Sequence, residues 1–226
     1  MNELTQKLTE AFASLHPEPI RHLFLIGKSA IEGADDSKVV PVVGIILKQA
    51  TTSEISLIKP TITTFAKKGA LFPYAFTQEF LENSLDSFPL EFLEFQAYHR
   101  MLIGESPFAI RTPDVRHVRL QCEREIKGKS LHLKSALLNV NDAKKLREIM
   151  LLSRQDLNRI SLGMLVLKGV KPPSNPDNIV PEMARSYEAD ISLVMKLIAG
   201  DVAVNEAEKM YDSYVEMLDK LSESIE

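Results

Sequence analysis

The chain has 226 residues, of which 45% are hydrophobic and 26% charged, with a formal net charge of −4. That balance belongs to a folded globular chain of one large or two small domains rather than a disordered or fibrous one, and the charge supplies no bulk attraction to nucleic acid, which is not an expected partner. The single cysteine, Cys122, excludes an intrachain disulfide framework and a multi-thiolate zinc site. No apolar run approaches the ~20 residues that cross a bilayer, and the polar start MNELTQKLTE does not read as a signal peptide, so a cytoplasmic chain without membrane contact is expected.

Leu4, Leu8, Ala11, Phe12 and Leu15 recur at helical spacing ahead of Pro17 and Pro19, which predicts an amphipathic helix over 3–15. Residues 22–26 read as a short strand, 27–37 as a polar loop, and 39–47 as a second strand interrupted by Pro41 and Gly44. Ile55, Ile58, Ile62, Phe65 and Ala66 share one helical face, with Pro60 near the helix start or at a kink. Residues 71–76 read as a third strand and Thr77 as the cap of a brief helix through Leu85; the alternation over 88–95 predicts a further strand. Residues 1–112 thus read as mixed α and β.

Past Pro113 the pattern is helical throughout. Val115, Val118, Cys122, Ile126, Leu133 and Leu137 form one stripe while Leu120, Leu131 and Leu138 form a second, which predicts a helix apolar on two sides at the centre of a bundle. Ser153 and Asp156 have capping-box spacing, placing a helix end near Leu152 and a start before Leu157. Residues 169–181, with four prolines, read as a loop. Two helices follow, over 182–199 with Gly200 ending the first and over 206–223 with Asn205 starting the second. The expected domains are therefore 1–112 and 113–226.

The stretch LFLIGKSAIEGADD at 23–36 raises the question of a phosphate-holding loop. A P-loop needs a glycine five residues before Gly27, where this chain has His22, and apolar residues fill 23–26, so that motif is rejected. The segments SLDSFPLEFLEFQAYHRMLIGESPF at 84–108 and VRLQCEREIKGKSLHLKSALL at 118–138 resemble bacterial nucleotidyltransferase-like proteins. The resemblance implies an α+β fold: an N-terminal nucleotidyltransferase-like mixed sheet with flanking helices, then an all-α helical bundle. It also implies, in active members, a Gly-Ser turn after the first strand, an Asp-x-Asp pair on the next, and a third carboxylate on a later strand.

Residues i and i+2 of a strand face the same way, so such a pair holds Mg²⁺ against a nucleoside triphosphate. Here Gly27-Lys28-Ser29 matches the turn, but Val39 and Pro41 stand where the pair belongs. Asp35 and Asp36 are adjacent and would point to opposite faces of an extended chain, which favours a solvated acidic turn; Glu91 is the candidate third carboxylate. Arg116, with Lys127 and Lys134, is a candidate phosphate donor on the helix after 115, although a mixed charged stripe is more often solvated surface. None of the five histidines forms a paired-ligand pattern, and Cys122 reads as a small buried hydrophobe.

The expectation is a noncatalytic nucleotidyltransferase-like protein with a nucleotide-binding, regulatory or scaffold role. It carries no metal site, and its candidate nucleotide contacts are Gly27, Lys28, Ser29 and Arg116. The competing expectations are an active Mg²⁺-dependent transferase using Asp35, Asp36 and Glu91, and a homodimeric or protein-binding module without nucleotide.

Overall fold

The computed structural model describes residues 3–31, 39–109, 111–154 and 156–225. The architecture is α+β, with ten α-helices and one four-stranded mixed sheet among the described residues. The chain divides into two compact units, Met1–Pro113 and Asp114–Glu226. Among the described residues no helix is long and apolar enough to cross a membrane.

The first unit runs α1 (Glu3–Ala13), β1 (Ile20–Ile26), a 3-10 turn (Gly27–Ala30), β2 (Val42–Leu47), α2 (Thr52–Ala66), β3 (Leu71–Thr77), α3 (Gln78–Asn83), α4 (Pro89–Ala97) and β4 (His99–Ile103). The sheet order is β3-β2-β1-β4, with β2 and β3 parallel across the α2 crossover and the other pairs antiparallel. Side chains alternate along a strand, so Leu23, Leu25, Val43, Ile45 and Leu47 share one face and pack with Leu8 and Phe12 of α1 and Ile58 and Phe65 of α2. Phe24, Ile26, Ile46 and Phe76 share the other and pack with Leu81 of α3 and Phe92 and Phe95 of α4. Each strand pair has one register shift, and these irregularities bring Ile20 and Phe72 to the aliphatic side out of alternation.

Two predicted features of this unit change. Residues 88–95 form a helix, not a strand: Pro89 sits in the first turn, where its missing amide costs nothing, and Leu90, Phe92, Leu93 and Phe95 are all buried, as a helix packed on a sheet requires. Strand β4, HRMLI, went unforeseen because it is short, half polar and at the sheet edge. Thr77 does cap α3, accepting from the Phe80 amide at 3.0 Å. A reciprocal cap opens α2: the Thr51 hydroxyl accepts from the Glu54 amide at 3.3 Å, and Glu54 Oε2 accepts from the amides of Gln49 at 3.0 Å and Ala50 at 2.8 Å. Pro60 lies inside α2 rather than at its start.

The second unit contains α5 (Val115–Asn139), α6 (Ala143–Ser153), α7 (Leu157–Leu167), α8 (Ile179–Ser186), α9 (Ile191–Ala199) and α10 (Ala207–Glu223). α5 packs against α6, α7 and α10 through the stripe that includes Val118, Cys122, Ile126 and Leu133. The predicted second stripe is not covered: Leu120, Leu131 and Leu138 are 63%, 66% and 85% exposed, so α5 is apolar on two sides but buried on one. Arg124, Lys127 and Lys134 interleave with those leucines on the helix surface and keep that side hydrated.

The expected box at Ser153 does not form, since Asp156 adopts φ +67° without a side-chain cap and the Ser153 hydroxyl donates back to the Met150 carbonyl at 2.7 Å. Asp142 caps α6 after a break at Val140, which the helical stripe concealed. The predicted helix over 182–199 is two helices, separated where Asp190 accepts from the amides of Ser192 and Leu193. α8 already begins at Ile179, inside the expected loop, with Pro181 tolerated in its first turn. A 3-10 turn (Val204–Glu206), not an Asn205 cap, leads into α10. Gly200 does end α9, at φ +72°. Cations close several helix ends: Arg154 Nη1 donates to the carbonyls of Leu197 and Ile198 at 3.0 and 2.9 Å, and Lys129 Nζ to that of Ser153 at 2.8 Å.

Candidate functional site

β1 delivers the chain to Gly27, whose φ of +62° lets the strand turn at once into the 3-10 segment. Two donors of this turn point inward. The Gly27 amide donates to the Tyr98 carbonyl at 2.8 Å, tying the turn to the start of β4. The Ser29 hydroxyl donates to the Ile26 carbonyl at 2.8 Å and accepts from the Val42 amide at 3.1 Å, bracing the turn against the start of β2. A Cβ built on Gly27 would lie 3.8 Å from Glu94 Oε1, so a carboxylate of α4 stands beside the turn. Lys28 is exposed. A phosphate cradle needs several outward donors and positive potential. Two of this turn's donors, the Gly27 amide and the Ser29 hydroxyl, are engaged within the fold.

Asp35 and Asp36 lie outside the described residues. Val39 and Pro41 precede β2, and Pro41 is buried, its carbonyl accepting from the Leu71 amide at 2.8 Å. Neither side chain carries a metal-ligating atom. Among the described residues no three His, Cys, Asp or Glu side chains gather closely enough to hold a metal ion. Val39 and Pro41 therefore offer no side-chain ligand to Mg²⁺ at the positions where the carboxylate pair was expected.

Glu91, placed by sequence on a strand, is on α4 one turn before Glu94. It lines a cavity of about 550 Å³ bounded by β3, α3 and α4. The walls are aromatic: Tyr74, Phe76, Phe80, Phe88, Phe92 and Phe95. Tyr74 meets Phe95 edge-on at 5.0 Å between ring centroids, and Phe80 lies 6.1 Å from Phe76 and 6.0 Å from Phe88. Sequence reasoning did not find this cavity. Its one signal was that six of the ten phenylalanines fall between residues 72 and 95.

Arg116 belongs to the second unit and forks onto the residue that caps its own helix: its Nη2 lies 2.6 Å from Asp114 Oδ2 and its Nε 3.1 Å from Oδ1. The same Asp114 accepts from the Arg116 amide at 2.8 Å, and these contacts hold its carboxyl well below the usual carboxylate range. Lys127 pairs with Glu123 at 2.5 Å, and Lys134 with Asp219 at 2.8 Å. The basic row is thus laced to acids of its own unit. Burial pushes the Cys122 thiol up to about 12, far from thiolate chemistry, and its Sγ faces the Ile160 carbonyl at 3.7 Å. His99 pairs through Nε2 with the Ser106 hydroxyl at 2.7 Å, and burial holds its pKa below the ordinary value.

Neither a protein-family model nor a curated protein matches the chain.

Proposed function

We propose that this is a noncatalytic nucleotidyltransferase-like protein whose first unit keeps the strand, turn and mixed sheet of such a domain for a regulatory or scaffold role. The reading rests on the resemblance of residues 84–108 and 118–138, and one observation carries the loss of chemistry. The Ser29 hydroxyl, which in a working site would face phosphate, is engaged between the Ile26 carbonyl and the Val42 amide. A group holding two backbone partners gives them up for a phosphate only at the cost of leaving both unpaired. Hydrocarbon at Val39 and Pro41 is consistent with the same loss.

The test is release of pyrophosphate from each of the four nucleoside triphosphates with Mg²⁺, beside calorimetric titration with ATP. No turnover is expected. Binding without turnover would keep a nucleotide-sensing role, and absence of both would leave the scaffold role. Turnover that Asp36→Ala abolishes would establish the active transferase instead and overturn the proposal.

A further inference from the structure

The cavity bounded by β3, α3 and α4 has walls that are already in place. Phe76, Phe92 and Phe95 are 9%, 5% and 3% exposed; Phe95 meets Tyr74 edge-on at 5.0 Å and stacks on Phe76 at 6.0 Å, and Phe92 meets Phe108 edge-on at 6.3 Å. The Thr77 hydroxyl, accepting from the Phe80 amide at 3.0 Å, sets where α3 begins and so where Phe80 stands. Gln49 and Ala50 are held by the Glu54 carboxylate that accepts both their amides, although Ala50 has φ +53°, in the left-handed region that alanine seldom enters. A cavity of about 550 Å³ with walls fixed in this way is of small-molecule size rather than a packing defect.

The lining decides the charge of an occupant. Among the described lining residues there is no Lys, Arg or His, so an anion would shed its hydration without a cation to replace it. Glu91 is the one acid there and already takes part in an interaction within the structure, so it is not a spare counter-charge for a cation. What remains is neutral: six aromatic rings, and the side chains of Gln49, Thr77 and Ser84, which can hydrogen-bond an uncharged substituent.

We propose that this cavity binds an uncharged, flat aromatic molecule of about two fused rings that carries one hydroxyl or carbonyl group. Its faces and edges continue the edge-on and stacked pattern of the walls, which favours a ring over a saturated body of the same size beyond the area it buries. Phe80 and Phe88, 50% and 46% exposed, stand at the rim. The proposal is independent of nucleotidyltransferase ancestry, and either can fail without the other.

The test is calorimetric titration of the full chain at neutral pH with 2-naphthol, its saturated counterpart decahydro-2-naphthol, sodium 2-naphthoate and 2-naphthylmethylammonium chloride. 2-Naphthol is expected to bind about tenfold more tightly than either ion and about fivefold more tightly than the saturated alcohol. Phe80→Leu, which keeps apolar bulk at an exposed position, should weaken 2-naphthol severalfold; Phe88→Leu serves as the reading should Phe80→Leu not fold by circular dichroism. Leu138→Ala, at an 85% exposed leucine of α5, should leave the affinity unchanged. No heat with millimolar 2-naphthol, equal affinity for either ion or for the saturated alcohol, an unaltered affinity in a folded ring variant, or an equal loss in Leu138→Ala would each overturn the proposal.

Discussion

The two faces of the sheet in the first unit are made by the same four strands, yet they are finished differently. One carries Leu23, Leu25, Val43, Ile45 and Leu47 and is closed by α1 and α2; those five side chains are at most 1% exposed. The other carries Phe24, Ile46 and Phe76 beneath α3 and α4 and opens into the aromatic cavity. The closed face is mainly branched aliphatic side chains with Phe12, Phe65 and Phe72, whereas the other is mainly rings, several of them meeting edge-on. Alternation along a strand lets one segment serve both layers: the odd positions of β2 pack under α1 and α2, and Val42 and Ile46 at even positions join the aromatic cluster.

The largest effect should come from breaking the closed face. Phe12 of α1 is fully buried, 6.5 Å from the Phe65 ring and 6.0 Å from that of Phe72. Phe12→Ala should cost about 3–5 kcal/mol, as a buried ring removed from a well-packed layer does, whereas Phe80→Ala at the 50% exposed rim should cost no more than about 1 kcal/mol. Hydrogen exchange of β1 amides in the full chain reads both. Equal losses would mean that the faces are packed alike and that the cavity is not loosely walled.

A smaller effect tests the boundary between the faces. A Cβ built on Gly44 would lie 2.2 Å from Phe24 Cζ, because the ring lies flat over β2 where that strand has no side chain. Gly44→Ala should therefore cost about 1–3 kcal/mol by displacing the ring. Phe24 in turn meets Phe95 at 5.7 Å and Phe108 at 4.8 Å, so the displaced ring pushes toward the cavity wall. Loss of exchange protection in α4, with α1 and α2 keeping theirs, is the expected pattern.

Much of this fold was legible because burial writes a period into sequence. α1, α2 and the first three strands followed from apolar spacing, and Thr77 and Gly200 from cap chemistry. The failures have physical causes as well. Alternation at Phe88, Leu90 and Phe92 imitates a strand because a helix buried on a broad face also places apolar residues two apart. The Thr51 to Glu54 cap is genuine and the Ser153 to Asp156 spacing is not, a difference decided by backbone dihedrals that spacing does not encode. At the turn, Gly27 and Ser29 were visible but their partners, the Tyr98 carbonyl and the Val42 amide, come from distant positions in the chain. The cavity draws on β3, α3 and α4, and no local pattern announces it.

The smallest predicted effect separates the units by pH. Burial lowers the pKa of both His22 and His99 in the first unit, and His16 and Arg21 lower that of His22 further. With folded values below the ordinary 6.5, the unfolded chain binds protons first as pH falls, so the contribution of the neutral imidazoles is intact above pH 6.5 and is lost as pH drops through the lowered folded values. In the second unit the shifted acids Asp114, Asp190 and Asp219 are held below their ordinary 3.8 and act only in that more acidic range. Between pH 6.5 and 5, hydrogen exchange corrected for intrinsic rates should therefore show β1 and β4 losing protection while α5 and α10 keep theirs. His22 packs so closely under Gly104 that a Cβ there would lie 2.4 Å from its Nδ1, which leaves little room for water to solvate an added proton. His22→Gln should flatten part of the pH response of β1; an unchanged response would assign the effect to His99 alone, and loss of protection in α5 over the same interval would refute the division between the units.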